Sequence, residues 1–217
     1  MINIDSLKSE MLKRYESRFI TNVNTVLTIE GFPRSANTFA VDMLNTINPT
    51  IDLLSLAHHT HDKSNLILAV ALGKPCVCLI RKPEDAILSF VIYSQLPVSA
   101  AFQKYVGFYQ ELLPFIDSMV VADFDTVTKN FNEVISQLNK KFELELAESS
   151  DLKSDAEIAK QKDEARAKAT RSNEEYIRTV GAPNEEREKL KQKLRSEVAA
   201  YIQENSLVNK IYDSFFE

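Results

Sequence analysis

Short β-branched apolar runs alternate with stretches of helical period along the first two thirds of the chain. The run TVLTIE at 25–30 reads as a strand, and the helix after it carries Phe39, Ala40, Met43, Leu44 and Ile47 on one face. IDLLSLA (51–57) reads as a second strand and NLILAVAL as a helix ended by Gly73. CVCLI (76–80) reads as a buried strand, followed by a helix from about Pro83 with proline in its first turn. MVVAD (119–123) gives a further strand. One helix then takes Phe124, Val127, Phe131, Val134 and Leu138 at helical spacing. Strand–helix alternation of this kind implies an α/β fold: a central parallel sheet flanked by helices in three layers.

Beyond Glu143 the pattern changes, and residues 143–197 hold nearly half of the charged residues. Between Leu152 and Tyr176 the one large aliphatic residue is Ile158, set among alanines. That describes a solvated helix or mobile arm with little to bury. Apolar periodicity returns at Leu190, Leu194, Val198 and Ile202, then at Leu207, Val208, Ile211, Tyr212 and Phe215. The division is therefore one domain over 1–217, with an α/β core at 25–142. A charged helical arm or lid follows at 147–180, and C-terminal helices at 184–217 dock on the core.

Composition narrows the function. The chain has 217 residues, a net charge of −5 and four glycines, which leaves no room for a GxGxxG fingerprint. The acidic balance argues against nucleic acid or an anionic membrane as partner. Cys76 and Cys78, two apart on a strand, read as buried free thiols. Together with an N-terminus unlike a secretory signal and no membrane-length apolar run, they point to the cytoplasm.

Three loops at strand ends carry candidate chemistry. Glu30-Gly31-Phe32-Pro33-Arg34-Ser35-Ala36-Asn37-Thr38-Phe39 lies between a strand and a helix, where backbone N–H groups and a helix N-terminus suit an anion. Against the nucleotide phosphate loop GxxxxGK[ST], Gly31 and Thr38 fit, while Ala36 and Asn37 replace the second glycine and the lysine. The plainer alternative is a helix capped by Ser35. Arg81, Pro83, Asp85 and Ser89 follow CVCLI, placing Arg81 at the carboxyl end of a central strand with Ser89 in reach. Between Phe19 and Ala165 the arginines are Arg34 and Arg81 alone, each following a strand. All three histidines, His58, His59 and His61, lie together after IDLLSLA. They suit a general base; a His-x-His metal pair lacks a clearly placed third ligand.

Taken together these segments resemble the sulfotransferases that use 3′-phosphoadenosine 5′-phosphosulfate (PAPS), over roughly residues 25–93. Pro33-Arg34-Ser35-Ala36-Asn37-Thr38 is similar to the PxSGxT segment that binds the 5′-phosphosulfate. Arg81, Pro83, Asp85 and Ser89 match RxPxDxxxS, which binds the 3′-phosphate. His58 and His59 stand where many members carry the catalytic histidine. DFDTVTKNF and APNEEREKLKQKL resemble bacterial members more weakly.

The resemblance implies a P-loop-like fold and sulfuryl transfer from PAPS to a hydroxyl or amine, leaving adenosine 3′,5′-bisphosphate (PAP). It implies a catalytic set of His59 (alternatively His58) and Arg34. Pro33, Arg34, Ser35, Ala36, Asn37, Thr38, Phe39, Arg81 and Ser89 would hold the donor, with no metal required. Ala36 replaces the usual glycine, so its backbone is expected in an ordinary helical or bridge conformation. For the glycine-rich third donor segment, Arg178 and Gly181 are the nearest candidates. A small-molecule or glycan acceptor would sit among the loop after His61, the Tyr93–Tyr109 region and the arm, which leaves room for a homo-oligomer contact. The alternatives are an ATP-dependent P-loop kinase and a non-catalytic nucleotide-binding protein of the same fold.

Overall fold

Four parallel strands, β1 (Leu27–Gly31), β2 (Leu56–His58), β3 (Cys76–Ile80) and β4 (Val120–Asp123), form one sheet in the order β2-β1-β3-β4. These come from a computed structural model, which describes residues 2–170, Ser172, Glu175, Tyr176, Thr179 and 185–217. β1 and β3 are central and buried along their whole length.

The pleat of β3 divides the core. Cys76, Cys78 and Ile80 face one side and Val77 and Leu79 the other, the period-two alternation of a strand with helices on both faces. Against the first face pack α3 (Lys63–Ala71), α4 (Pro83–Ser94), α5 (Val98–Tyr109), α9 (Glu185–Glu204) and α10 (Leu207–Asp213). Against the second pack α2 (Asn37–Ile47), α6 (Phe124–Lys129), α7 (Phe131–Phe142) and α8 (Leu152–Thr170). The N-terminal helix α1 (Ile4–Leu12) closes over α3 through Met11, Ile20 and Leu68. This is the α/β architecture expected, with three layers and a helical C-terminal region.

Two elements differ from expectation. The 51–57 segment is not one strand: Asp52 accepts a hydrogen bond from the Leu54 amide (2.9 Å) and starts a 3₁₀ turn, so β2 begins at Leu56. The single helix expected after Asp123 is two. Asp123 caps α6, and Asn130 (φ −144, ψ 64) breaks the chain before α7. Val127, Phe131, Val134 and Leu138 still reach one core cluster, so the apolar spacing survives the break.

The charged segment forms α8, which lies on α2. Its contacts are Leu152, Ala156 and Ala159, while Ile158 is 40% exposed. Small residues let the two helices approach, and Arg166 adds an ion pair to Asp42 at 2.6 Å. At the C-terminus Val198, Ile202, Val208, Ile211 and Phe215 are buried in the first core, whereas Leu190 and Leu207 stay exposed. Both cysteines are free and buried, and burial pushes the Cys76 thiol up to about 12. Among the described residues no helix is long and apolar enough to cross a membrane, and no group of three His, Cys, Asp or Glu is placed to hold a metal ion.

Candidate active site

At the carboxyl ends of β1, β2 and β3 the chain leaves the sheet in three loops, and a cavity of about 480 Å³ opens above them. Its floor is Pro33, Arg34, Ala36, Asn37, Thr38 and Phe39, with His59 and His61 on one side and Arg81 and Phe124 on the other. Tyr93, α8 (Ala159, Lys160, Asp163) and α9 (Arg187, Glu188, Lys191) close it. In open α/β sheets this is where ligands bind.

The loop after β1 takes an unusual path. Arg34 (φ 76) and Ala36 (φ 69, ψ 24) both adopt left-handed backbone conformations. Ala36 is therefore not in the helical or bridge conformation expected. It holds the geometry a glycine would take freely, at a cost of about 1–2 kcal/mol. Gly31 is required for another reason: a Cβ there would collide with the Leu79 carbonyl oxygen of β3.

Tyr109 fixes the loop from beneath. Its hydroxyl donates to the Leu79 carbonyl (2.8 Å) and accepts from the Phe32 amide (3.3 Å). With that proton committed, the Ser35 hydroxyl is the donor in the 3.3 Å contact to Tyr109. Ser35 is 0% exposed, and its amide donates to the Phe32 carbonyl (3.1 Å). Ser35 is accordingly neither the cap of α2 nor a wall of the cavity; it ties the loop to the core. Ala36 is the N-cap of α2, with no side-chain cap, so the first turn of the helix opens toward the cavity floor. Asn37 stands where a nucleotide phosphate loop carries lysine. Its Nδ2 donates to the Phe32 carbonyl (3.1 Å), and its buried Oδ1 has no hydrogen-bond partner.

Three arginines meet here. The Arg34 Nε donates to the Ser89 hydroxyl (3.3 Å) and its NH1 to the Thr179 carbonyl (2.7 Å). The Arg81 NH1 donates to the Arg34 carbonyl (3.1 Å), and its guanidinium lies 3.9 Å from the centre of the Phe124 ring. The Tyr105 hydroxyl holds the Arg81 carbonyl at 2.7 Å, while the Arg81 Nε is buried with no hydrogen-bond partner. Arg187, 5% exposed on α9, donates to the Ser89 hydroxyl at 2.6 Å. Burial, then Arg187 and Arg81, push Arg34 down to about 9, which leaves it charged at neutral pH. Burial also lowers Arg81 and Arg187. Ser89 thus sits behind the arginines and spaces two of them.

On the opposite side, β2 ends in the histidines. His59 (φ 61) and His61 (φ 50) are again left-handed. The His59 Nε2 is 3.1 Å from the Thr38 hydroxyl, and the His58 and His59 Nδ1 atoms are 2.5 Å apart. Burial, with His58, His61 and Arg166 adding repulsion, pushes His59 down to about 3. Burial, Arg166 and Arg18 push His58 down to about 4. Both imidazoles are neutral at physiological pH. The His61 Nδ1 is 3.1 Å from the Gly31 carbonyl, which turns it toward the end of β1.

Two residues of this site lie in segments the sequence singles out, Glu30 at the head of the first loop segment and Arg187 within APNEEREKLKQKL, but neither is marked there as a site residue. Arg187 lies in a charged helix like many others, 98 positions from Ser89. Glu30 is fully buried and accepts hydrogen bonds from the histidine turn; a carboxylate ending an otherwise apolar strand was the available sign. Arg178 and Gly181, the candidates for a third donor segment, lie outside the described residues.

The sequence matches no protein-family model and no curated protein. In three dimensions the chain is similar to a mouse sulfotransferase, SULT7A1, whose crystal structure is a complex with PAP. The two share 11% sequence identity with a TM-score of 0.50, over 97% of this chain and 91% of that one. At that identity the likeness speaks for the fold: a central parallel sheet flanked by helices, of the kind sulfotransferases use.

Proposed function

We propose that this chain is a transferase that moves a sulfuryl group from PAPS to a hydroxyl or amine acceptor. One observation carries the proposal: Arg34, Arg81 and Arg187 converge beside the uncapped start of α2, with a neutral histidine across the same cavity. The residues present fit such a donor. The buried Arg81 Nε lacks an acceptor, and a polyanion supplies acceptors and offsets repulsion among three guanidiniums. The first turn of α2 from Ala36 to Phe39, together with Arg34 and Thr38, would hold the 5′-phosphosulfate; Arg81 and Arg187, the latter anchored by Ser89, would hold the 3′-phosphate.

PAPS supplies an activated sulfuryl group that carries less charge than a terminal phosphoryl group, so a Mg²⁺ clamp is not demanded. The chain's own residues provide a base and a fixed field. With the His59 Nδ1 proton donated to the His58 Nδ1, the lone pair of the His59 Nε2 faces Thr38 and takes the acceptor's proton. The bond to His58 fixes the tautomer and stabilises the imidazolium that results. A bound anion nearby raises the basicity that burial suppresses. Arg34 and the α2 amides stabilise charge as it builds on the leaving phosphate oxygen. An ATP-dependent kinase fits less well, because Asn37 replaces the lysine and spends its amide on the Phe32 carbonyl.

The test is transfer of labelled sulfate from PAPS across a panel of phenols, alcohols, amines and glycans. The expected result is a labelled product whose formation His59→Ala suppresses. Labelled product formed equally well by His59→Ala would reject the base. PAP binding with no transfer across the panel would favour a binding protein of the same fold.

A further inference from the structure

Where β1 and β2 part, the ladder ends at the pair Ile29 and His58. The next residue of β1 is Glu30, and the chain opposite it has turned into the left-handed conformations of His59 and His61. In that turn the Thr60 and His61 amides have no strand carbonyl to meet. The Glu30 carboxylate takes both: Oε1 accepts from the Thr60 amide (2.8 Å) and Oε2 from the His61 amide (3.0 Å). Oε1 also accepts from the Thr60 hydroxyl (2.7 Å) and the Asn65 side-chain amide (3.1 Å).

We propose that Glu30 is a positioning residue, whose buried carboxylate replaces the missing strand and holds the 59–61 turn so that His59 faces Thr38. Its catalytic meaning rests on the function proposed above. Two left-handed non-glycine residues in three positions cost about 1–2 kcal/mol each, and the turn persists only if something over-determines it. All four contacts to Glu30 are donors, which a carboxylate satisfies and a carboxamide cannot. In Glu30→Gln the new NH₂ group must face either the His61 amide or the three donors on Oε1. Glu30 itself does not line the cavity, so donor binding does not depend on it directly.

The experiment reads the imidazole ¹⁵N and ¹H signals of His58 and His59 in the ligand-free full chain, then PAP affinity and transfer rate. For Glu30→Gln the expected result is altered His59 signals, PAP affinity within about 2-fold, and kcat lower by roughly 10–100-fold, the scale of a displaced catalytic group. Unchanged histidine signals, or PAP affinity falling as far as kcat, overturn the proposal. Thr60→Val, which deletes one donor and keeps the backbone, serves if Glu30→Gln does not fold. It should show the same pattern at a few-fold amplitude, and Thr60→Ser should restore it; Thr60→Val with wild-type signals and rate overturns the proposal equally. Because the signals are read without ligand, a wild-type chain that transfers no sulfate would reject the catalytic reading and leave the Glu30 result standing.

Discussion

The two sides of the cavity are built on opposite electrostatic logic. On one, three arginines are crowded at the cavity wall, with Ser89, the Thr179 carbonyl and the Arg34 carbonyl among their partners. On the other, two imidazoles are kept neutral by burial and by neighbouring cations. The arginine side is costly without an anion and improves when one arrives. The histidine side is uncharged when empty and is asked to gain charge only during the reaction. Binding and proton transfer are thus assigned to separate walls, and changes to each should separate in measurement.

The sharpest separation comes from His59→Ala. Loss of a general base lowers kcat by about 10²–10⁴-fold, whereas PAP affinity measured by calorimetry should stay within a few-fold of wild type. Arg81→Ala and Arg187→Met should do the reverse. Each removes charge-assisted hydrogen bonds worth about 1.5–3 kcal/mol, so PAP affinity falls roughly 10–100-fold while AMP affinity falls much less. Since like charges crowd this wall, the ligand-free Arg187→Met chain should keep or gain thermal stability. A large loss of stability in that variant would show the crowding to be fully offset in the empty site.

A pH series addresses the histidine wall. Burial depresses His59 to about 3 and His58 to about 4, below the ordinary 6.5 of an unfolded chain. Between these values the unfolded state binds more protons, so the stability they contribute is complete above about 6.5 and declines as the pH falls toward 3. His59→Gln should therefore flatten the dependence of the melting temperature on pH between 6.5 and 4; parallel curves for variant and wild type would contradict the neutral-imidazole assignment. The smallest expected effect is Ala36→Gly, which relieves a left-handed alanine. For a chain of this size, about 1 kcal/mol raises the melting temperature by about 2–4 °C.

How much of this was legible depended on the range of the interaction. Strand–helix alternation, the buried CVCLI strand and the positions of Arg34, Arg81 and the histidines at strand ends follow from local pattern; the structure brings Arg34, Arg81, His59 and His61 to one cavity, with His58 against His59 but outside the lining. The break at Asn130 was hidden because α6 and α7 bury the same face, so the apolar period runs through it. The residue type of Ala36 favours an ordinary conformation; Tyr109, more than 70 positions away, ties the loop to a path that imposes the other. Arg187 and Glu30 acquire their roles only through contacts made by folding, and neither stands out by spacing.

The central claim is that the arginine wall is made for a nucleotide carrying a 3′-phosphate. Calorimetric titration of the wild-type chain with PAP, and separately with ADP and Mg²⁺, tests it most directly. The account predicts one PAP per chain, bound at least 10-fold more tightly than ADP–Mg²⁺ and weakened by Arg81→Ala. Equal or tighter binding of ADP–Mg²⁺, or PAP affinity indifferent to Arg81, would contradict it.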